Sequence, residues 1–193
     1  MGLGNPGPRY ERTRHNAGFM AIDELAARTR AVGRVERGAW LAETTLAGEP
    51  ALLVKPQSFM NLSGEPVARL LAEAGASPAD LVVIVDDVAL PLGRLRVRPA
   101  GSDGGHNGLV SLITSLATDA FARVRIGVGQ EAAEAEVEAQ RDSVPLRDFV
   151  LGEFLPDELE RLREVIRLAA DSVESLIGEG AAAAMNRFNG RIA

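Results

Sequence analysis

The chain has 193 residues, of which 46% are hydrophobic and 25% are charged, a composition typical of globular rather than disordered proteins. It contains no cysteine and only two histidines, which excludes disulfides, thiolate metal sites, a cysteine nucleophile and a histidine-rich metal cage. We expect a single domain over residues 1–193, because a chain of this length can bury a sufficient core without cross-links.

The net charge of −6 is distributed unevenly. Residues 131–160 hold ten acidic and two basic residues, whereas residues 1–130 hold thirteen acidic and fourteen basic ones. The first 130 residues therefore remain compatible with an anionic partner such as nucleic acid, although composition alone does not indicate one. No apolar run approaches the roughly 18 residues that a membrane span needs, and the N-terminus lacks signal-peptide features. We expect a cytoplasmic protein with no membrane partner.

Hydrophobic periodicity predicts alternating strands and helices along the chain. In chain order, the pattern predicts a helix from after His15 to about residue 30, strands at 40–46 and 51–54, a helix at 62–74, strands at 81–85 and 95–98, a helix at 108–116, a strand at 122–128 and a long helix from Pro156 to near Gly178 and Gly180. Such alternation indicates an α/β fold with a largely parallel or mixed sheet.

Residues 81–85 are all apolar and rich in β-branched side chains, which predicts a strand buried on both faces. Asp86 and Asp87 follow it directly. Because ligands of α/β sheets bind at the carboxyl ends of strands, Asp86 is a candidate functional residue, with a turn or helix cap as an equally good interpretation. A magnesium pair is disfavoured, since no third carboxylate or phosphate-binding loop lies nearby in sequence.

Residues 2–7 read Gly-Leu-Gly-Asn-Pro-Gly and match the dinucleotide-binding string. That motif needs a strand before the first glycine and a helix directly after the second. Only Met1 precedes it, and Pro6 and Pro8 delay the helix. A nucleotide-dependent oxidoreductase is therefore disfavoured, and a backbone-exposed loop that presents Asn5 is the better interpretation.

His15 and His106 each lie in a polar segment just before a predicted helix. A single histidine is more often structural, but the positive field of a helix start favours the neutral imidazole, which can accept a proton. A carboxylate such as Asp86 would then fix the tautomer and stabilise the cation that forms. Asn5, Asn61 and Asn107 are individually typical of caps and turns. Together, their amides could hold a peptide backbone without reading its side chains.

Five segments occur in a recognisable order and spacing, with a weaker sixth at residues 148–152 (Asp-Phe-Val-Leu-Gly). They are 2–7 with Tyr10, 13–19 (Thr-Arg-His-Asn-Ala-Gly-Phe), 55–64 (Lys-Pro-Gln-Ser-Phe-Met-Asn-Leu-Ser-Gly), 104–109 (Gly-Gly-His-Asn-Gly-Leu) and 121–127 (Phe-Ala-Arg-Val-Arg-Ile-Gly). This set closely resembles the bacterial peptidyl-tRNA hydrolase family over nearly the whole chain.

The resemblance implies a monomeric enzyme that hydrolyses the ester joining peptide to tRNA without metal or cofactor, built on a twisted mixed sheet flanked by helices. It implies that His15 is the general base that activates water and that Asp86 orients it. Asn5 would recognise the blocked, peptide-like nitrogen that distinguishes the substrate from aminoacyl-tRNA. The groove for the peptide and the 3′ adenosine would be lined by Tyr10, Phe59, Asn61 and Asn107.

Several arginines of the predicted strands are candidate ligands for tRNA phosphates, with a solvated strand face as an equally good interpretation. They are Arg94, Arg96, Arg98, Arg123 and Arg125, of which the family pattern favours Arg96, Arg98 and Arg125. The acidic segment 130–144 would repel RNA beside the groove, so we expect it to be a mobile lid or a surface loop that points away.

The chain departs from the family pattern at its first strand. Only Met1 precedes Gly2, where the family has several apolar residues, so we expect this strand to be truncated. Ser58 and Phe59 stand where threonine and tyrosine are common, which should have a mild effect. The alternative function is an RNA-binding relative without hydrolytic activity, and the combination of His15 and Asp86 with three asparagines argues against it.

Overall fold

The computed structural model describes residues 1–129 and 145–191, which form an α/β fold with helices on both sides of the sheets. The helices are α1 (Ala17–Thr29), α2 (Gly64–Ala74), α3 (Asn107–Leu116), α4 (Leu146–Val150), α5 (Leu159–Glu179) and α6 (Ala181–Phe188). The strands are β1 (Arg34–Glu36), β2 (Ala39–Leu46), β3 (Glu49–Pro56), β4 (Val82–Pro91), β5 (Leu95–Arg98) and β6 (Ala122–Gly129). The acidic segment 130–144, expected to be a mobile lid or a surface loop, lies outside the described residues.

The strands form two three-stranded sheets. In the first, β1, β2 and β3 pair antiparallel in sequence order. In the second, β6 lies in the middle, parallel to β4 and antiparallel to β5. The predicted α/β fold with a mixed sheet flanked by helices is confirmed. Among the helices of the described residues, none is both long and apolar enough to cross a lipid bilayer.

Residues 1–3 join the two sheets. Gly2 forms a parallel bridge with Ile84 of β4, and its N–H donates to the Val54 carbonyl of β3 at 3.0 Å. Ile84 N–H donates to the Met1 carbonyl, and Leu3 N–H donates to the Ile84 carbonyl, at 2.8 and 2.9 Å. The strand that we expected to be truncated is thus represented by three residues, which lead directly into the loop that holds Asn5.

Strand β4 is buried on both faces, as its apolar run predicts. Ile84 lies in a core formed with α1, α5 and α6. Val83 and Val85 point the other way, into a core formed with α2 and α3. Because side chains alternate along a strand, one strand can fill both cores, and it therefore has a fixed position between them.

Asp86 and Asp87 lie within β4 and not after its end, which corrects the predicted boundary at residue 85. Strand β6 continues beside them, with Asp86 opposite Ile126 and Asp87 opposite Gly127. The apolar run stops at residue 85, and the predicted strand ended there for that reason. The backbone pairing extends further because the Asp86 carboxylate finds buried hydrogen-bond donors, which are described below.

The start of α1 lies unusually close to β4. A Cβ atom at Gly18 would stand 2.4 Å from the Ile84 carbonyl oxygen and 2.5 Å from that of Leu3. No side chain fits at such distances, so a glycine is needed for this approach. The contact places the turn that precedes α1, with His15, against the middle of β4.

Candidate active site

The Asp86 carboxylate is shared by both histidines of the chain. His15 Nδ1 lies 2.9 Å from Oδ2 and 3.0 Å from Oδ1, and His106 Nε2 lies 2.9 Å from Oδ1. The two imidazole rings stand 4.9 Å apart between centroids. Only 2% of Asp86 is exposed. The structure therefore joins His15 to Asp86, as the sequence analysis expected, and adds His106, which it had not placed in the site.

The hydrogen bonds assign a tautomer to each imidazole. His106 lies at the N-cap of α3, where Nδ1 accepts the N–H groups of Gly108 and Leu109 at 3.2 and 3.4 Å. Its proton is therefore on Nε2 and is donated to Asp86. In the neutral imidazole of His15, Nδ1 donates to Asp86 and Nε2 therefore carries the lone pair. That nitrogen makes no hydrogen bond within the described part of the chain, so its lone pair can accept a proton.

The environment keeps Asp86 ionised. Burial by itself raises the pKa of this carboxyl, but the electrostatic interaction and hydrogen bond with His106, followed by those with His15, outweigh it. The pKa of Asp86 consequently lies well below its ordinary value. A permanently charged carboxylate holds the proton on His15 Nδ1 and stabilises the imidazolium that forms when Nε2 takes a second proton.

His15 lies in the middle of a 3-10 turn, Arg14–Asn16. The neighbouring Asn16 side chain binds the backbone of Asn5 twice: Oδ1 accepts the Asn5 N–H at 2.8 Å, and Nδ2 donates to the Asn5 carbonyl at 3.0 Å. Asn16 is buried and was not among the predicted site residues. Its position next to His15 in a polar motif was the only sequence signal that could have identified it.

The side-chain amide of Asn5 is hydrogen-bonded to the protein through its oxygen and not through its nitrogen in the part of the chain that the structure describes. Its Oδ1 accepts the N–H of Met60 at 2.9 Å, whereas its Nδ2 has no partner among the described residues. Its Nδ2 can therefore donate to a bound molecule, and its Oδ1 keeps a second lone pair for another donor. The expected recognition of a peptide-like nitrogen by Asn5 stays a prediction.

The residues expected to line the groove are exposed or half-buried. Tyr10 and Phe59 meet edge to face at 6.4 Å, and 55% of Phe59 is exposed. Asn61 and Asn107 are both exposed, and neither amide is hydrogen-bonded within residues 1–129 and 145–191. The turn Met60–Leu62 approaches α3 closely, since a Cβ at Gly108 would lie 2.6 Å from Met60 Sδ.

Comparison with known proteins agrees with this geometry. Residues 1–193 match the sequence model of the family described as peptidyl-tRNA hydrolase. The chain belongs to this family. It is 44% identical over 191 residues to a peptidyl-tRNA hydrolase of Alkaliphilus oremlandii, with 98% of each chain covered. It is also 44% identical to one from Chloroflexus aurantiacus, over 98% of this chain and 97% of the relative.

Solved structures of the peptidyl-tRNA hydrolase family share the fold. The crystal structure of the enzyme from Acinetobacter baumannii superposes with a TM-score of 0.85 at 28% identity, covering 99% of this chain and 93% of the other. A crystal structure of a peptidyl-tRNA hydrolase in complex with N-propanol gives a TM-score of 0.84 at the same identity and coverage. The resemblance drawn from the sequence motifs is thereby confirmed.

The three arginines favoured for phosphate binding differ in their exposure and in their hydrogen bonds to the protein. Arg96 and Arg98 point out from β5 and are exposed, whereas the Arg125 side chain is only 12% exposed. Arg125 donates to Asp87 Oδ2 at 3.3 Å and to the carbonyls of Ser102 and Asp103 at 3.0 and 3.1 Å. Of the three residues favoured for phosphate binding, Arg125 therefore holds a protein loop and would have to exchange those contacts for a phosphate.

Arg123 is not on a solvated strand face. It is 1% exposed, and its guanidinium donates to main-chain carbonyls that include those of Gly101, Ser102 and Asp119. Burial lowers its pKa, and the carbonyl dipoles satisfy the charge. The alternation of β6 had suggested exposure, because sequence alone does not show that the loop at residues 101–103 covers that face.

His15, Asp86 and His106 are also the only described group of ligand-type side chains close enough to share a metal ion, with ligand atoms within 4.8 Å of one another. The donor set fits a cation poorly as it stands. Asp86 accepts both imidazole N–H groups, so a cation between them would displace a proton from each ring.

Proposed function

We propose that this protein hydrolyses the ester bond between the peptide and the tRNA of peptidyl-tRNA. The observation that carries the proposal is the His15–Asp86 pair, in which a buried carboxylate fixes one imidazole nitrogen as a donor and leaves the other as a base. Membership of the peptidyl-tRNA hydrolase family and 44% identity to relatives of that name support it.

The proposed reaction needs one base and one water. His15 Nε2 removes a proton as the water oxygen attacks the ester carbonyl carbon, and Asp86 stabilises the imidazolium. The tetrahedral intermediate then expels the 3′ oxygen of the ribose, which receives the proton from His15. The products are a peptide with a free carboxylate and a tRNA with a free 3′ hydroxyl. A good leaving group of this kind does not require a covalent enzyme intermediate.

Amide groups would hold the peptide by its backbone. We propose that Asn5 recognises the peptide-like nitrogen group of the substrate: its Nδ2 can donate to the peptide carbonyl, and its Oδ1, which already accepts the Met60 N–H, keeps a lone pair for the peptide N–H. Asn61 and Asn107 remain free to donate and accept, and Tyr10 with Phe59 would provide apolar surface beside them. Contacts to backbone groups suit a substrate whose side chains vary.

We further propose that Arg96 and Arg98 bind tRNA phosphates, with Arg125 joining them once its loop contacts are exchanged. These contacts would read charge and not sequence. The same proposal takes residues 1–193 as one domain that acts as a monomer in the cytoplasm, without metal or cofactor. A non-hydrolytic RNA-binding role is less favoured, since it gives no function to a buried carboxylate that orients a free imidazole nitrogen.

The test is release of tRNA from N-acetylaminoacyl-tRNA by the purified protein, with and without a chelator. We expect release in both conditions, and much slower release from aminoacyl-tRNA with a free amino group. Binding without release would contradict the proposal and support the RNA-binding alternative. Activity that is lost with the chelator and restored by a divalent cation would contradict the metal-independent mechanism.

A further inference from the structure

Arg14, the residue directly before His15, is buried although it carries a permanent charge. Only 5% of it is exposed. Its guanidinium carbon lies 4.6 Å from the ring centre of Phe149 and 5.1 Å from that of Phe154. Its N–H groups donate to the Glu153 carbonyl and, at 2.6 Å, to Glu158 Oε2. A charged side chain is thus enclosed by a segment more than 130 residues away in sequence.

The same segment also binds the backbone of Thr13 and Arg14. Arg14 N–H donates to the Gly152 carbonyl at 3.1 Å, and Thr13 forms an antiparallel bridge with Glu153. Glu158 adds a further link, because its Oε2 also accepts the Leu155 N–H at 2.6 Å in the turn that leads into α5. Residues 149–158 therefore form a clamp, which we call the Arg14 clamp, between the turn before α1 and the start of α5.

The charge of Arg14 is not needed to fill this space. Its Nε is buried without a hydrogen-bond partner, so part of the desolvation cost is uncompensated. An apolar side chain of similar volume would fit between the two phenylalanine rings without that cost. The guanidinium instead fixes the orientation of the Arg14 side chain, because its planar set of donors sets the angle at which that side chain enters the Arg14 clamp.

The geometry of the turn connects that direction to the catalytic base. A 3-10 helix has three residues per turn, so three consecutive side chains leave it in three directions. In the turn Arg14–Asn16, they reach the Arg14 clamp, Asp86 and Asn5, respectively. A rotation of this short turn about its axis would swing the His15 ring away from Asp86. Attachment on both flanks of His15 prevents that rotation.

We propose that Arg14 is a positioning residue, whose attachment to the Arg14 clamp orients the His15 imidazole against Asp86. The proposal rests on the function proposed for His15. It gives residues 149–158 a part in the reaction, although none of them contacts Asp86 or His15 through a described hydrogen bond.

The experiment compares Arg14→Met with Glu158→Gln and Arg14→Lys. Methionine keeps the apolar contact with the phenylalanine rings but loses the charge and the donors. We expect kcat for N-acetylaminoacyl-tRNA to fall roughly 10- to 100-fold in Arg14→Met, since small misplacements of a catalytic group have effects of that size. KM should stay close to that of the parent protein. Glu158→Gln should reduce kcat by a smaller factor than Arg14→Met does. Arg14→Lys should keep part of the kcat that Arg14→Met loses.

Arg28→Met is the matched control. Arg28 also ties the first half of the chain to α5, through Asp171, but it lies at the opposite end of α1 from His15. We expect its kcat to be unchanged. A folded Arg14→Met protein with the kcat of the parent would overturn the proposal. If Arg14→Met does not fold, unchanged kcat in both Glu158→Gln and Arg14→Lys would overturn it as well.

A second readout does not depend on activity. The ¹⁵N shifts of the His15 ring report which nitrogen carries the proton. In the parent protein they should show the Nδ1–H form, and in Arg14→Met a mixture of both forms. An inactive parent protein would contradict the proposed function, while this change in the ring would still support positioning by Arg14. Identical ¹⁵N shifts in the two proteins would contradict positioning whatever the activity.

Discussion

His15 and His106 contact the same carboxylate, yet they differ in whether the imidazole can accept a proton. His106 uses both nitrogens, one on Asp86 and the other on the first amides of α3. His15 uses one, and the other has no hydrogen-bond partner among residues 1–129 and 145–191. The residue type and the partner are identical, so the difference arises from what meets the second nitrogen. The first amides of α3 occupy the second nitrogen of His106, which makes this imidazole a helix cap. No such amides meet the second nitrogen of His15 among the described residues, so this imidazole can act as a base.

The largest effect should follow from removing the free nitrogen. We expect His15→Ala to reduce kcat about 10²- to 10⁴-fold, the usual contribution of a general base, while tRNA binding and thermal stability change little. Single-turnover hydrolysis of N-acetylaminoacyl-tRNA and a binding assay separate the two quantities. Turnover equal to that of the parent protein would assign the two histidines the same, structural role.

Asp86→Asn should produce the next largest loss of kcat. An amide can donate as well as accept, so it no longer forces the proton of His15 onto Nδ1, and we expect kcat to fall roughly 10²- to 10³-fold. The variant should also be less stable by about 1–3 kcal/mol at pH 7, because a buried hydrogen-bonded carboxylate is lost.

The stability difference between Asp86→Asn and the parent protein should depend on pH. The pKa of Asp86 is lowered in the folded protein. Its contribution to stability is therefore complete above the ordinary carboxyl pKa of about 4 and declines as the pH falls below that value. Urea unfolding at pH 7 and at pH 3 checks this. A difference that grows toward pH 3 would contradict the direction of the shift.

His106 permits a test that separates the cap from the carboxylate contact. Asparagine is a good N-cap but does not reach Asp86 in the way an imidazole does. We expect His106→Asn and His106→Ala each to lower kcat roughly tenfold, the value of one hydrogen bond to a charged group. Only His106→Ala should also lose about 0.5–2 kcal/mol of stability from the missing cap. A kcat loss as large as that of His15→Ala would contradict the division of roles.

The smallest effect concerns residues remote from both imidazoles. Replacing Arg96 and Arg98 with glutamine should leave kcat unchanged and reduce the slope of log affinity against log salt concentration by roughly 1 to 2. The double replacement of Arg163 and Arg167, exposed on α5, is the matched control and should not alter the slope. An equal slope for both double variants would assign Arg96 and Arg98 to a solvated surface.

The sequence predicted what local patterns determine. The buried strand before Asp86, the helix after His15 and the mixed sheet follow from the periodicity of apolar residues. The pairing of His15 with Asp86 was expected because polar residues at strand ends and helix starts converge in α/β folds.

Other features depend on tertiary contacts that no local pattern encodes. The roles of Asn16 and Arg14 appear only when Asn5 and residues 149–158 are placed against the turn before α1. The burial of Arg123 depends on a loop that folds over β6. The short helix α4 has five residues, too few for periodicity to reveal it.

The close approach of α1 to β4 has a consequence for how variation in this chain should be interpreted. Gly18 bears no functional group, yet a single added methyl would collide with the carbonyl oxygens of Ile84 and Leu3 and act as a wedge beneath the helix. The imidazole would be carried outward while every reacting atom was still present. A random search for inactive variants should therefore return substitutions at Gly18 as well as substitutions at His15.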